Sequence, residues 1–394
     1  MTSAWQHCTL GDVCAIEKMQ GEHRGLPYVG LEHIESGTGR FIGSLKPERV
    51  KSSTFRFSSA HLLYGRLRPY LNKVLAPDFD GHCSTEIFPL KPSPRVLRAY
   101  VQYWLQAKTT VARIDATCTG ARMPRANMSD VMKLEFPLPT LPEQRRIVAI
   151  LDEAFAGLEA MRANAEKNLQ NAREFFGSYL SSLYRVDWPE KSLEEACIIG
   201  DGNHSSNYPK KEELVDSGIP FIRATNLVNG RISGLDMRFL TPEKHAQLKK
   251  GHLKAGDVLL TNRGEIGKIA LVDQAYDNAN LNSQIAWLRC RADTDSKYLF
   301  YVLQTEEIQS HFQGSKSGTA LQQFTIRQLK ALRLRVPPLS TQRQIAASAD
   351  AVIEETSLLE SLYKQKLAAI DELKQSILQK AFSGEQISSE AVAA

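Results

Sequence analysis

Two runs in the first third of the chain carry the side chains best suited to gripping an anion or a base edge. Tyr64-Gly65-Arg66-Leu67-Arg68-Pro69-Tyr70-Leu71-Asn72-Lys73 interleaves aromatics with cations, and Gly120-Ala121-Arg122-Met123-Pro124-Arg125-Ala126-Asn127 is a second basic loop. A guanidinium makes two parallel hydrogen bonds to guanine O6 and N7 or to a phosphate, and an Asn amide does the same with adenine. Further along, Thr261-Asn262-Arg263-Gly264-Glu265-Ile266-Gly267-Lys268, Asn282-Ser283-Gln284 and Ser315-Lys316-Ser317-Gly318-Thr319-Ala320-Leu321-Gln322-Gln323 offer similar chemistry, weighted towards amides. Glycine in such loops lets backbone approach a phosphate closely. The candidate contacts in the first group are Arg66, Arg68, Asn72, Lys73, Arg122, Arg125 and Asn127. In the second they are Asn262, Arg263, Lys268, Asn282, Gln284, Lys316, Thr319, Gln322 and Gln323. Any one of these residues alone reads as solvated surface. Loops that recur at matched positions favour contact.

Signatures of catalysis are missing. The stretch nearest to a phosphate-binding loop, Gly264-Glu265-Ile266-Gly267-Lys268-Ile269, has the wrong spacing and no following Ser or Thr. No zinc-protease motif, nucleophile elbow or dinucleotide fingerprint is present. Nor is there the Asp/Asn-Pro-Pro-aromatic run of adenine methyltransferases. The pairs Glu194-Glu195, Glu212-Glu213 and Glu306-Glu307 sit in polar surroundings and read as solvated faces. His7-Cys8 and His82-Cys83 lack further ligands at metal spacing. No catalytic residue, metal or cofactor is assigned to the chain.

What must position the loops is a scaffold written twice. Trp5, Leu10, Cys14 and Ile16 recur as Trp188, Leu193, Cys197 and Ile199, an offset of 183. The offset is 193 at Leu26-Pro27-Tyr28-Val29 against Ile219-Pro220-Phe221-Ile222, and 196 at His61-Leu62-Leu63 against Asp257-Val258-Leu259. From Tyr100 it settles at 198: Tyr100, Tyr103, Gln144, Asp152 and Leu180 match Tyr298, Tyr301, Gln342, Asp350 and Leu378. Each copy opens with an irregular part. Its short apolar runs, broken by Gly, Pro, Asn and Ser, read as strands with long loops, with one helix near 95–112 and its counterpart near 295–312.

Each copy then continues as one long helix. From Ile147 to Leu183 apolar residues recur in ten steps over 36 residues, a helical period. Pro142 suits the first helical position and Glu143 the positive end. In the second copy Ile345, Ala349, Val352, Leu359, Leu362, Leu367, Ile370, Leu373, Ile377 and Ala381 follow, with Thr341 and Gln344 placed for a capping box and Ser383-Gly384 for the end. A helix of this length spans roughly 60 Å and needs cover for its stripe. The simplest cover is its own copy, as an antiparallel coiled coil. The expected organisation is residues 1–140, a globular head; 141–186, a helix; 187–338, a second head; 339–384, a second helix; and 385–394, a tail. The fold class is α+β, two pseudo-repeated α/β domains separated by two long helices. Two heads on such a rod could read two sites on one face of DNA, whose repeat is about 34 Å.

Composition agrees. At 394 residues, 42% apolar and 24% charged, the chain is globular, with no apolar run near the span of a membrane. The net charge of +5 is unevenly spread: +6 over residues 1–140, −2 over 141–190, +4 over 191–338 and −3 over 339–394. Basic heads suit a polyanion, and acidic helices suit protein partners. Dispersed cysteines and an opening stretch unlike a secretory signal point to a reducing cytoplasm.

The two-copy layout resembles the specificity (S) subunits of Type I restriction–modification enzymes. Pro139-Thr140-Leu141-Pro142-Glu143-Gln144-Arg145-Arg146-Ile147-Val148, opening a long helix, carries the resemblance, as do the Tyr-rich helices before Thr119-Gly120 and Gly318-Thr319. The second helix start departs from it, with Thr341 in place of the usual Glu. The resemblance implies two target recognition domains and a split double-stranded DNA target with an unspecified gap. It also implies a non-catalytic subunit docked by two modification (adenine methyltransferase) subunits and by restriction (translocase and nuclease) subunits. S-adenosylmethionine, ATP and Mg would then sit on those partners, with none in this chain. The other reading of the residues is a coiled-coil adaptor with two protein-binding heads and no nucleic-acid role. If the helices act as a ruler, inserting whole helical turns into both should change the accepted gap between half-sites. An unchanged gap in a binding selection would refute the ruler.

Overall fold

The computed structural model describes residues 5–23, 25–48, 50–120, 122–184, 187–203, 208–314 and 323–383. Lys316, Thr319, Gln322 and the expected tail at 385–394 lie outside the described residues. The chain divides into two units, Met1–Glu166 with Gln365–Ala394, and Lys167–Lys364. Each unit therefore holds one head and parts of both long helices.

In unit one the framework sheet runs Cys14–Ile16, Ile87–Pro92, Leu62–Gly65, Val74–Leu75, antiparallel throughout. Leu62–Gly65 is buried along its length, as expected of a central strand covered on both faces. A second sheet runs Met19–Gly21, Thr54–Phe57, Gly81–Ser84, Tyr28–Val29, the last pair parallel. Unit two repeats the framework sheet as Cys197–Asp201, Ile285–Cys290, Val258–Thr261, Ile269–Leu271. Even the register is kept: Ile16 faces Leu90 and Leu62 faces Leu90, as Ile199 faces Leu288 and Val258 faces Leu288. The second sheet is repeated only in its parallel pair, where Phe221 faces Asn280 and Ile222 faces Leu281 as Tyr28 faces His82 and Val29 faces Cys83. Ile219–Ile222 lies between Asn280–Leu281 and Arg238–Leu240, whereas its counterpart Tyr28–Val29 is an edge. The copies diverge where the sequence offset drifts.

The helix expected near 95–112 is two helices, Arg98–Gln106 and Lys108–Asp115, and its counterpart is Ser296–Val302 and Glu306–Gly314. The break in the first falls at Ala107, whose extended backbone (φ −65°, ψ 132°) stops one helix and starts the next. The long helices span Leu141–Tyr184 and Leu339–Phe382. Both begin slightly before the expected caps. Leu141 takes the first position and Pro142 the second, and Thr341 lies inside the first turn, so the expected Thr341–Gln344 capping box does not form.

Both helices contribute to each unit's core. In unit one Ile147, Leu151, Phe155 and Leu158 share a cluster with Ile370, Ile377, Leu378 and Ala381. Arg162 pairs with Asp371, and the Lys374 ammonium lies 5.1 Å from the Phe155 ring centroid, so the two segments run antiparallel. In unit two Leu180 joins Ala346 and Ala349, and Arg173 meets Glu360 at 3.4 Å. The buried stripe is narrower than the sequence pattern. Met161, Leu359, Leu362 and Leu373 are exposed, because one facing helix covers only a seam.

The repeated polar residues fasten heads to helices. Gln144, fully buried, accepts from Leu97 N–H at 2.8 Å and donates to Arg95 O at 3.1 Å and Pro139 O at 2.9 Å. Gln342, equally buried, accepts from Asp295 N–H at 2.7 Å and donates to Asp293 O at 2.9 Å and Pro337 O at 2.8 Å. The Tyr103 hydroxyl donates to Asp152 at 2.5 Å, and Tyr301 to Asp350 at the same distance. Burial opposes ionisation of Asp350, but hydrogen bonds from Lys297 and Tyr301 outweigh it and lower its carboxyl below the ordinary value. That link holds at neutral pH and is lost as pH falls through the lowered value. Gln144→Leu or Gln342→Leu would orphan three backbone groups each. Either should cost about 3 kcal/mol of stability in urea unfolding of the full chain. A loss under about 1 kcal/mol would show that water replaces the amide.

Candidate nucleic-acid interface

In unit one the strand Leu62–Gly65 leads straight into the first basic run, and backbone hydrogen bonds lace that run to its neighbours. Arg66 N–H donates to Glu86 O at 2.9 Å, Ala126 N–H to Arg66 O at 2.9 Å and Arg68 N–H to Pro124 O at 2.8 Å. Thr119 and Arg125 exchange a pair of bonds at 3.1 Å. The two basic runs, fifty residues apart in sequence, thus form one edge. Unit two repeats this lacing: Asn262 N–H donates to Gln284 O and Phe324 N–H to Asn262 O, both at 2.9 Å, and Arg263 bridges to Gln323. Positions 66, 86 and 125 of one unit therefore correspond to 262, 284 and 323 of the other.

The frame is shared and the side chains differ. Unit one places Arg66, Glu86 and Arg125 together. Glu86 Oε2 accepts from Arg66 Nε at 3.0 Å, and Oε1 from Arg125 Nε and Nη2, each at 2.9 Å. Unit two has Asn262, Gln284 and Gln323 instead, a neutral set. Asn262 is buried, with Nδ2 donating to Phe324 O at 3.2 Å, while Gln284 and Gln323 are exposed. Asn282, also buried, donates to Gln284 Oε1 at 3.0 Å.

The other candidates fall into two kinds. The side chains of Arg68 and Arg122 are exposed and make no hydrogen bond or ion pair among the described residues. Arg68 sits in the left-handed region (φ 51°, ψ 63°), at the start of the turn Pro69–Leu71. Such a backbone is uncommon for a side chain of this size and is held here by the bond to Pro124. The remaining ones, Arg263 apart, are tied to their own unit. Asn72, also left-handed (φ 50°), donates to Gln106 O at 2.9 Å. Lys73 donates to Leu31 O at 2.6 Å. Asn127 caps the helix Met128–Val131, accepting from Ser129 N–H at 3.1 Å and donating to Asp130 at 2.7 Å. Lys268 pairs with Glu265 at 2.8 Å, and Arg263 is half-buried with no partner for its Nε among the described residues.

Sequence reasoning missed Glu86, the hub of the charged cluster. Its signal was present: Gln284 was singled out, and Glu86 is its counterpart at an offset of 198.

The model of the Type I restriction modification DNA specificity domain family matches residues 2–169 and 185–369, most of the chain. The chain belongs to this family. It is 25% identical over 199 residues to the Type I restriction enzyme EcoDI specificity subunit of Escherichia coli, an alignment covering 50% of this chain and 44% of that protein. The chain thus spans under half the length of that relative. Among solved structures, a chain from a study of assembly and conformational transition of the type I R-M system matches with TM-score 0.82 at 22% identity, covering 97% of this chain and 98% of the other. The HsdS subunit of Thermoanaerobacter tengcongensis matches with TM-score 0.61 at 20% identity, covering 98% of each. At these identities the likeness establishes the fold of the specificity-domain family. Among the described residues no His, Cys, Asp and Glu grouping could hold a metal, and no helix is long and apolar enough to cross a membrane.

Asn127→Ala should remove a helix cap and cost about 1 kcal/mol of stability, with Asn127→Ser, which keeps a capping oxygen, close to wild type. Thermal unfolding of the two variants checks this. Equal losses would mean that the amide donor, rather than the capping oxygen, matters.

Proposed function

We propose that this chain is the DNA-recognition subunit of a Type I restriction–modification complex, itself non-catalytic. Each head reads one short half-site of a bipartite duplex target, and two modification subunits and restriction subunits dock on the chain. Methyl transfer from S-adenosylmethionine and ATP-driven, Mg-dependent translocation and cleavage belong to those partners, in the cytoplasm.

One observation carries the reading. Two copies of a single backbone frame present different polar side chains at corresponding positions, a charged set in one and an amide set in the other. A pure scaffold would have no use for that asymmetry, whereas a reader of two unlike half-sites requires it. The exposed guanidiniums of Arg68 and Arg122, without a partner among the described residues, supply phosphate contacts on the same edge, which position the head without reading sequence.

Methylation mapping of DNA from cells carrying the chain and its modification partner should return two unlike short sequences separated by a constant gap. Methylation without that split pattern would refute the reading. Arg68→Ala and Arg122→Ala should each weaken binding evenly across sequences and flatten the salt dependence by about 0.9 in log–log slope. Unchanged slopes would remove these two residues from the interface.

A further inference from the structure

The charged cluster of unit one is not needed to hold its own loops. Unit two makes the same backbone bonds, Asn262 to Gln284 and Phe324 to Asn262, at the same 2.9 Å with no charge at any of the three positions. The cluster must therefore be explained by what it presents.

Its bonding is uneven. Arg125 spends Nε and Nη2 on the Glu86 carboxylate, its Nε reaching Oε1 at 2.9 Å and Oε2 at 3.2 Å, and its Nη1 donates to Met123 O at 3.4 Å. Arg66 spends only Nε, on Glu86 Oε2, and its guanidinium carbon lies 5.1 Å from the Phe88 ring centroid. The nearby ring and the pinned Nε set the direction of that guanidinium. Its Nη1 and Nη2 edge has no partner among the described residues, and the side chain is 31% exposed. A guanidinium held at one edge and open at the other is a ready-made two-pronged donor.

We propose that Arg66 reads a guanine in the first half-site through O6 and N7, and that Glu86 is the positioning residue that aims it. Arg125 braces Glu86 through both carboxylate oxygens and does not read. This rests on the DNA-recognition reading and adds the base and the residue pair. A phosphate in the same place is disfavoured, because it would bring a second anion beside the Glu86 carboxylate, whereas a base edge is neutral. At the corresponding place in unit two the exposed Gln284 and Gln323 amides offer no such charged fork. A guanine contact of this kind is thus confined to the first half-site.

The test is a binding selection from randomised duplexes, with the full chain assembled with its modification partner. Wild type should prefer guanine at one position of one half-site by about tenfold or more. Glu86→Gln keeps the size of the side chain and loses the charge. It should reduce that preference several-fold while the other positions and the second half-site keep theirs. Arg66→Lys keeps the cation and loses the fork, so it should abolish the same preference with an unchanged salt slope. If Glu86→Gln does not fold, Arg66→Lys alone decides. Even weakening across all sequences in Arg66→Lys, or an intact guanine preference in it, would overturn the assignment. So would a first half-site without guanine. A wild-type complex with no sequence preference would sink the DNA-recognition reading itself, a result distinguishable from these.

Discussion

The construction depends on one buried amide, used twice. Gln144 and Gln342 each sit in the first turn of a long helix with no exposure, satisfying a backbone donor and two backbone acceptors of the neighbouring head. An amide is suited to this because it donates and accepts from one planar group. A carboxylate could not donate, and an apolar side chain would leave buried peptide groups unpaired, at a cost larger than the bonds gain. The arrangement fixes where the helix leaves the head. A tyrosine–aspartate bond about two turns further along, Tyr103 to Asp152 and Tyr301 to Asp350, fixes its direction.

With the helix anchored, the loops become the variable part. Their backbones are tied by main-chain bonds that do not depend on side-chain identity, and the same ties recur in both units. The side chains on that frame are then free to differ, as Arg66, Glu86 and Arg125 differ from Asn262, Gln284 and Gln323. The second sheet differs too, through the added neighbour Arg238–Leu240 beside Ile219–Ile222. Divergence is concentrated away from the elements that carry the anchoring glutamines.

The repeat, the α+β heads and the long helices were legible because periodicity and self-similarity survive without coordinates. Gln144 and Tyr103 stood out as matched residues, but their partners did not, since they are main-chain atoms or lie far along the chain. The apolar stripe overstated burial at Leu359 and Leu362, because periodicity reports a face and not the width of what covers it. At the interface the nominated residues mixed two populations. Arg68 and Arg122 point outwards, whereas Asn72, Lys73 and Asn127 are occupied by carbonyls or a helix end. Residue type cannot separate these, because an amide that caps a helix and one that meets a base have the same composition. Glu86 has the sign opposite to that of a polyanion contact, yet an acid amid arginines orients them.

The division of the chain bears on how the protein is made. Lys167–Lys364 is a continuous stretch, whereas the other unit combines Met1–Glu166 with Gln365–Ala394. During synthesis the continuous unit is complete while the discontinuous one still lacks Ile370, Ile377, Leu378 and Ala381, which close its core. The head translated first is thus the last to finish folding. Until the ribosome releases those final turns, its apolar helix seam stands open to solvent and to other nascent chains.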